Sequence, residues 1–155
     1  MSTYHERMQQ LVKKYRESGG KWPAASKELA AWAIQNKLWA PRPADILNEC
    51  AEHFSRALRD EYVTDAQGRR VRTKHAATYD NGSEQLVLWD DIRTATTAHM
   101  KTAFQQRRHQ ILGDCKQLKN DVDSFNENRK PEQPINLIFD FTLDLAEAEL
   151  AKKAA

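Results

Sequence analysis

Residues 68–91 read GRRVRTKHAATYDNGSEQLVLWDD, and this stretch decides the fold. Val71, Thr73, His75 and Ala77 alternate with Arg70, Arg72, Lys74 and Ala76, the two-residue period of a strand. Asp80-Asn81-Gly82 then supplies a hairpin turn, because Asn-Gly tolerates the positive φ angles that tight turns need. The run Leu86-Val87-Leu88-Trp89 completes the pattern. The spacing predicts a two-stranded ribbon, with Arg69–Tyr79 as its first strand and Gln85–Trp89 as its second. A tight turn, Asp65-Ala66-Gln67-Gly68, leads into it. Between Gln67 and Thr78 stand Arg69, Arg70, Arg72, Lys74 and His75 without one acid. A basic face beside an apolar one suits a phosphate backbone. Cations on an edge strand also guard against aggregation.

Two helices at an angle are expected before the ribbon. SKELAAWAIQNKL, from Ser26, places Leu29, Trp32 and Ala33 on one side. After the turn WAPRP, residues Ile46, Leu47, Cys50, Ala51, Phe54, Ala57, Leu58, Tyr62 and Val63 keep steps of three and four. Pro43 suits the first position of that helix. Upstream, Tyr4, Met8, Leu11, Val12 and Tyr15 mark another amphipathic helix over Ser2–Ser18. Ser2 or Thr3 caps its start and Gly19-Gly20 ends it. Trp22, Trp32 and Trp39 are expected to build the core among these helices.

The order helix, turn, helix, basic hairpin over Ser26–Asp90 resembles the winged-helix superfamily, across less than half of the chain. The resemblance implies duplex DNA as partner, with Arg69, Arg70, Arg72 and Lys74 on phosphates. Arg42 and Asn48, near the start of the second helix, are the candidates for base contact. Asp45 and Glu49 at the same end, and the length of that helix, depart from the pattern of a reading helix.

The longest element is expected from Thr94 to about Asn128. Met100, Phe104, Ile111, Cys115, Leu118, Val122 and Phe125 follow steps of four and three, with Arg107 interrupting the stripe. Such a helix is about 50 Å long and needs a partner. Met100, Phe104, Ile111, Leu118, Val122 and Phe125 are the candidate dimerisation residues, with a homodimer as the expected assembly. A polar linker, 126–134, precedes a tail strand at Ile135–Phe141 and a short helix, LDLAEAELAKKAA. The tail strand is a candidate for packing on the ribbon or joining a protein partner. Gln85–Trp89 and Gln133–Phe139 also resemble peptides that dock on bacterial sliding clamps.

The fold class expected is mainly α with a small antiparallel β-ribbon: a winged-helix-like domain over 1–92, a long helix over 93–130, and a tail over 131–155. Charge is nearly balanced at +2, so its distribution matters more than its total. From Pro131 onward five acids face two lysines. Cys50 and Cys115 lie far apart without metal-ligand spacing, which suggests reduced, half-buried thiols in the cytoplasm. No apolar run approaches the roughly 18 residues of a membrane span. No phosphate-cradling glycine loop, HExxH, GxSxG or Cys/His zinc set occurs, so no enzyme activity, cofactor or metal is expected. Asp90-Asp91 reads as a helix cap. The expected function is non-catalytic DNA binding, as a regulator or a plasmid or phage accessory protein. The alternative is a protein-interaction adaptor working through the long helix and the tail strand.

Overall fold

The computed structural model describes residues 2–154. It is 57% helical, with five helices and two small antiparallel sheets of two strands each among the described residues. The chain forms two compact units, one up to Arg56 and one from Ala57 onward.

The first unit holds α1 (Tyr4–Glu17), α2 (Ser26–Gln35) and most of α3 (Pro43–Arg59). Thr3 and Glu6 form a capping box at the start of α1, each side chain accepting from the other's backbone N–H. Glu28 reaches back to the backbone N–H of Ala25 in the same manner at α2. Tyr15 is buried, meets Trp32 edge-on at 5.4 Å, and donates its hydroxyl to the Lys21 carbonyl. Gly20 lies against the Tyr15 ring, where any side chain would collide with it. Trp39 donates its indole N–H to the Tyr4 hydroxyl at 2.8 Å. Trp22 does not join this core: it is half exposed, with Arg16 stacked over its ring. Pro43 opens α3, and none of the α3 side chains is buried.

The second unit contains two hairpins and the long helix. β1 (Tyr62–Thr64) pairs with β2 (Arg70–Arg72), and β3 (Lys74–Asp80) pairs with β4 (Gln85–Asp91). The single first strand expected over Arg69–Tyr79 is therefore two strands. The break falls at Thr73, whose N–H donates to the Glu61 carbonyl while its own carbonyl accepts from Ile92. One buried residue thus hands the chain from one ladder to the next. Tyr62 and Val63 are not the end of α3, as their spacing suggested. Aromatic and β-branched, they pair with Arg72 and Val71 across the turn at Asp65–Gly68. Asp65 closes that turn by accepting from the N–H groups of Gln67 and Arg69, and Gly68 takes φ +83°.

α4 (Thr97–Arg129) runs 33 residues and packs its first turns on β3. Thr73, His75 and Ala77 are buried on the ribbon side, and His99, Met100 and Ala103 on the helix side. Thr96, not the Asp90-Asp91 pair, caps α4 by accepting from the N–H of His99. Asp90 and Asp91 instead end β4. Beyond α4 the expected tail strand has no ladder partner among the described residues. Ile135 is held there by α4, its N–H and carbonyl both bonded to the Asn126 side chain. The short helix follows as α5 (Thr142–Ala154), with Asp140 accepting from the N–H of Thr142 at its start.

Candidate interaction surfaces

Two of the four ribbon cations are engaged by the protein's own carboxylates. Arg69 leaves the turn and pairs with Asp65 at 2.8 Å. Lys74, opposite Asp91 across the β3–β4 ladder, pairs with it at 3.0 Å and with Glu61 at 3.4 Å. Those contacts raise the Lys74 ammonium above its ordinary range, with the Asp91 hydrogen bond leading. Asp91 also receives the guanidinium and backbone N–H of Arg93, and these with Lys74 hold its carboxyl far below the usual carboxylate range. Asp65 is lowered in the same way, chiefly by the Arg69 backbone N–H.

Arg70 and Arg72 are placed differently. Both lie on the face of β2 that Tyr62 shares, since side chains two apart project together and Tyr62 stands opposite Arg72. The Arg70 guanidinium stacks over the Tyr62 ring at 4.1 Å. Neither arginine has an ion pair among the described residues.

In the other unit, Arg42 grips Asp45 through two bonds of 2.9 Å and lies over the Tyr4 ring at 4.4 Å. The pairing raises the arginine and lowers the aspartate, the side-chain hydrogen bond being the main cause of each shift. Asn48 is exposed further along α3. The structure therefore places Arg70 with Arg72, holds Arg69 and Lys74 against acids, and leaves Arg42 and Asn48 in the other unit.

Sequence reasoning missed the polar seam between α4 and β3. His99 donates from Nε2 to the His75 carbonyl at 3.0 Å, and the Tyr79 hydroxyl meets His99 Nδ1 at 2.9 Å. Since a carbonyl can only accept, His99 carries its proton on Nε2, and a neutral ring then takes the tyrosine hydroxyl on Nδ1. His75 donates from Nε2 to the Arg72 carbonyl at 2.8 Å and stacks edge-on with Phe104. Its burial, helped by Arg107, Arg72 and His99 nearby, lowers its pKa. The signal was present: His75 alternates with Val71, Thr73 and Ala77, the inward positions of the strand.

Apolar surface is the larger feature. Phe104, Ile111, Leu118 and Phe125 lie at seven-residue intervals along α4 and are 40–53% exposed. Of the other stripe residues, Met100 is buried on the ribbon side, while Val122 lies beside the returning tail segment. On α3, Ile46, Leu47 and Phe54 are 66–74% exposed. An open apolar groove of about 600 Å³ runs between α1 and α2, lined by Met8, Leu11, Val12, Leu29 and Trp32. Leu137 and Ile138 in the tail, and Leu143, Leu145 and Leu150 in α5, are also exposed. Cys50 is exposed, Cys115 half-buried, and both are free thiols.

Among the described residues no group of three or more His, Cys, Asp or Glu side chains is arranged to hold a metal ion, and no helix is long and apolar enough to cross a membrane. Comparison with known proteins returns no matching family model, no matching curated protein and no matching solved structure.

Proposed function

We propose that this chain is a non-catalytic, cytoplasmic adaptor that binds protein through the apolar faces of its helices. The observation that carries this reading is the line Phe104, Ile111, Leu118 and Phe125, left open on one helix. Fully burying such a side chain is worth about 1.5–3 kcal/mol, and with about half of each still in water the four together retain a drive for association. Contiguous exposed apolar surface of this kind marks a protein-binding site. The ribbon supports the same reading, because Arg69 and Lys74 each already offset an acid, which reduces the positive charge they offer to a phosphate.

A second reading, the winged-helix-like DNA-binding protein, keeps one observation in its favour. Arg70 and Arg72 project together beside Tyr62 without ion pairs among the described residues. They would lie on phosphate, with the remaining cations as secondary contacts.

Electrophoretic mobility of duplex DNA at low salt separates the two. The adaptor reading expects no retardation. Retardation that weakens steeply with salt, and disappears when Arg70 and Arg72 become Ala, would replace it with the DNA reading. Each lost phosphate contact reduces the log–log salt slope by about one.

A further inference from the structure

We propose that α4 pairs with α4 of a second copy of this chain, antiparallel and in one register, centred between Asp114 and Cys115. This rests on the protein-binding reading of α4 and names the partner. The open line repeats every seven residues, from Phe104 through Ile111 and Leu118 to Phe125. A strict seven-residue repeat drifts slowly around a straight helix, and two helices keep such lines in contact by supercoiling. The line is also symmetric about its own centre. Reversing the second copy brings Phe104 level with the partner's Phe125 and Ile111 level with the partner's Leu118.

The flanks decide which side of the line is used and which way the partner runs. On one side the chain covers itself, since residues 135–139 lie along Lys119, Val122, Asp123 and Asn126. Lys119 and Asp123 are paired there as well. The other flank carries Arg107, Asp114 and Asp121, again seven apart. Among the described residues Arg107 and Asp121 have no ion pair, and Asp121 accepts only from the Gln117 amide at 2.8 Å.

A parallel pair, whose two-fold axis runs along the helices, would set this flank against the partner's other flank, the one that residues 135–139 already cover, whereas an antiparallel pair sets the open flank against its own copy. In the antiparallel register Arg107 falls within one residue, about 1.5 Å along the axis, of the partner's Asp121. Symmetry supplies that attraction twice, and only Asp114, next to the two-fold axis, meets its own kind. Opposite flanking charges set orientation in helical pairs.

Sedimentation of the full chain tests the assignment. The wild-type chain is expected to sediment as a dimer. Ile111→Glu with Leu118→Glu is expected to give a monomer of unchanged helical content, since both positions are exposed. Arg107→Glu is expected to weaken the dimer about fivefold, and adding Asp121→Arg to restore it. A monomeric wild-type chain would overturn the second copy as partner. A dimer unmoved by Arg107→Glu, or not restored by the double exchange, would overturn the antiparallel register. Either result leaves the adaptor reading in place, because that reading fails only on DNA retardation.

Discussion

Gln106 presents both ends of its amide to the backbone of Thr78. Its Oε1 accepts from the Thr78 N–H at 2.7 Å, and its Nε2 donates to the Thr78 carbonyl at 2.8 Å. Thr78 sits in β3 opposite Val87, and its own polar groups point away from β4 toward the free edge. The helix thereby supplies, from one side chain, the two bonds that a neighbouring strand would make. Asn126 repeats the device at the far end of α4, clamping Ile135 through the same pair of atoms. Gln106→Ala should cost about 1–3 kcal/mol, because it leaves a half-buried N–H and carbonyl without partners. Gln106→Glu should not rescue it, since a carboxylate can accept from the N–H but cannot donate to the carbonyl. Denaturant midpoints measure the loss, and faster exchange of the Thr78 amide localises it.

Stability should fall as the solution is acidified through neutrality, and His75 is the cause. Burial first, with the charges of Arg107 and Arg72 adding to it, holds its folded pKa below the ordinary 6.5 against the opposing hydrogen bond to the Arg72 carbonyl. Above pH 6.5 the ring is neutral in both states and the contribution is complete. Below it the unfolded chain takes up the proton first, and stability drops until the folded ring titrates. One proton sets a slope of at most about 1.4 kcal/mol per pH unit. Urea midpoints between pH 7.5 and 5.5 are expected to decline less steeply in His75→Gln than in the wild type. Parallel declines would remove His75 as the source. The Asp91 contribution occupies a different window, since its lowered pKa stabilises above the unfolded carboxylate range and is lost on stronger acidification.

The alternation of residues 70–77 and the Asn81-Gly82 turn made the ribbon readable, because a two-residue period and a hairpin turn are local properties. Helices α1, α2 and α4 were readable for the same reason, at the helical period. What local pattern could not carry was the change of partner at Thr73, which depends on Glu61 and Ile92 approaching from opposite sides. The fate of the ribbon cations was equally hidden. No acid lies between Gln67 and Thr78, yet Asp65 reaches Arg69 from just outside that window and Asp91 reaches Lys74 across the ladder. The tail at Ile135–Phe141 has a strand's alternation but no ladder partner, Ile135 being held by the Asn126 side chain instead, so it joins no sheet among the described residues.

Gly20→Ala should destabilise the first unit by about 1–3 kcal/mol. The added Cβ would enter the Tyr15 ring, which is buried and held by Trp32 and the Lys21 carbonyl. Gly19→Ala is the control with a different mechanism. Nothing stands near its Cβ position, but its φ of +84° disfavours a side chain. Tyr15→Leu in the Gly20→Ala background should recover part of the loss in the first variant, by making room, and none in Gly19→Ala. Thermal unfolding of the four variants separates crowding from backbone strain.

The exposed stripe on α3 should be dispensable for stability and still visible to apolar probes. Ile46, Leu47 and Phe54 are 66–74% exposed, and α3 buries no side chain. Replacing all three with Gln removes apolar area already in water, so each change should stay within about 0.5 kcal/mol. A stripe that belonged to the folding core would behave oppositely, with about 2–5 kcal/mol lost for each large aliphatic side chain truncated. The midpoint of unfolding is therefore expected to hold while fluorescence of an apolar dye bound to the native chain declines. A fall in the midpoint of the size expected for core truncation would mean that α3 covers its stripe in solution, and would remove it from the binding surface proposed for this chain.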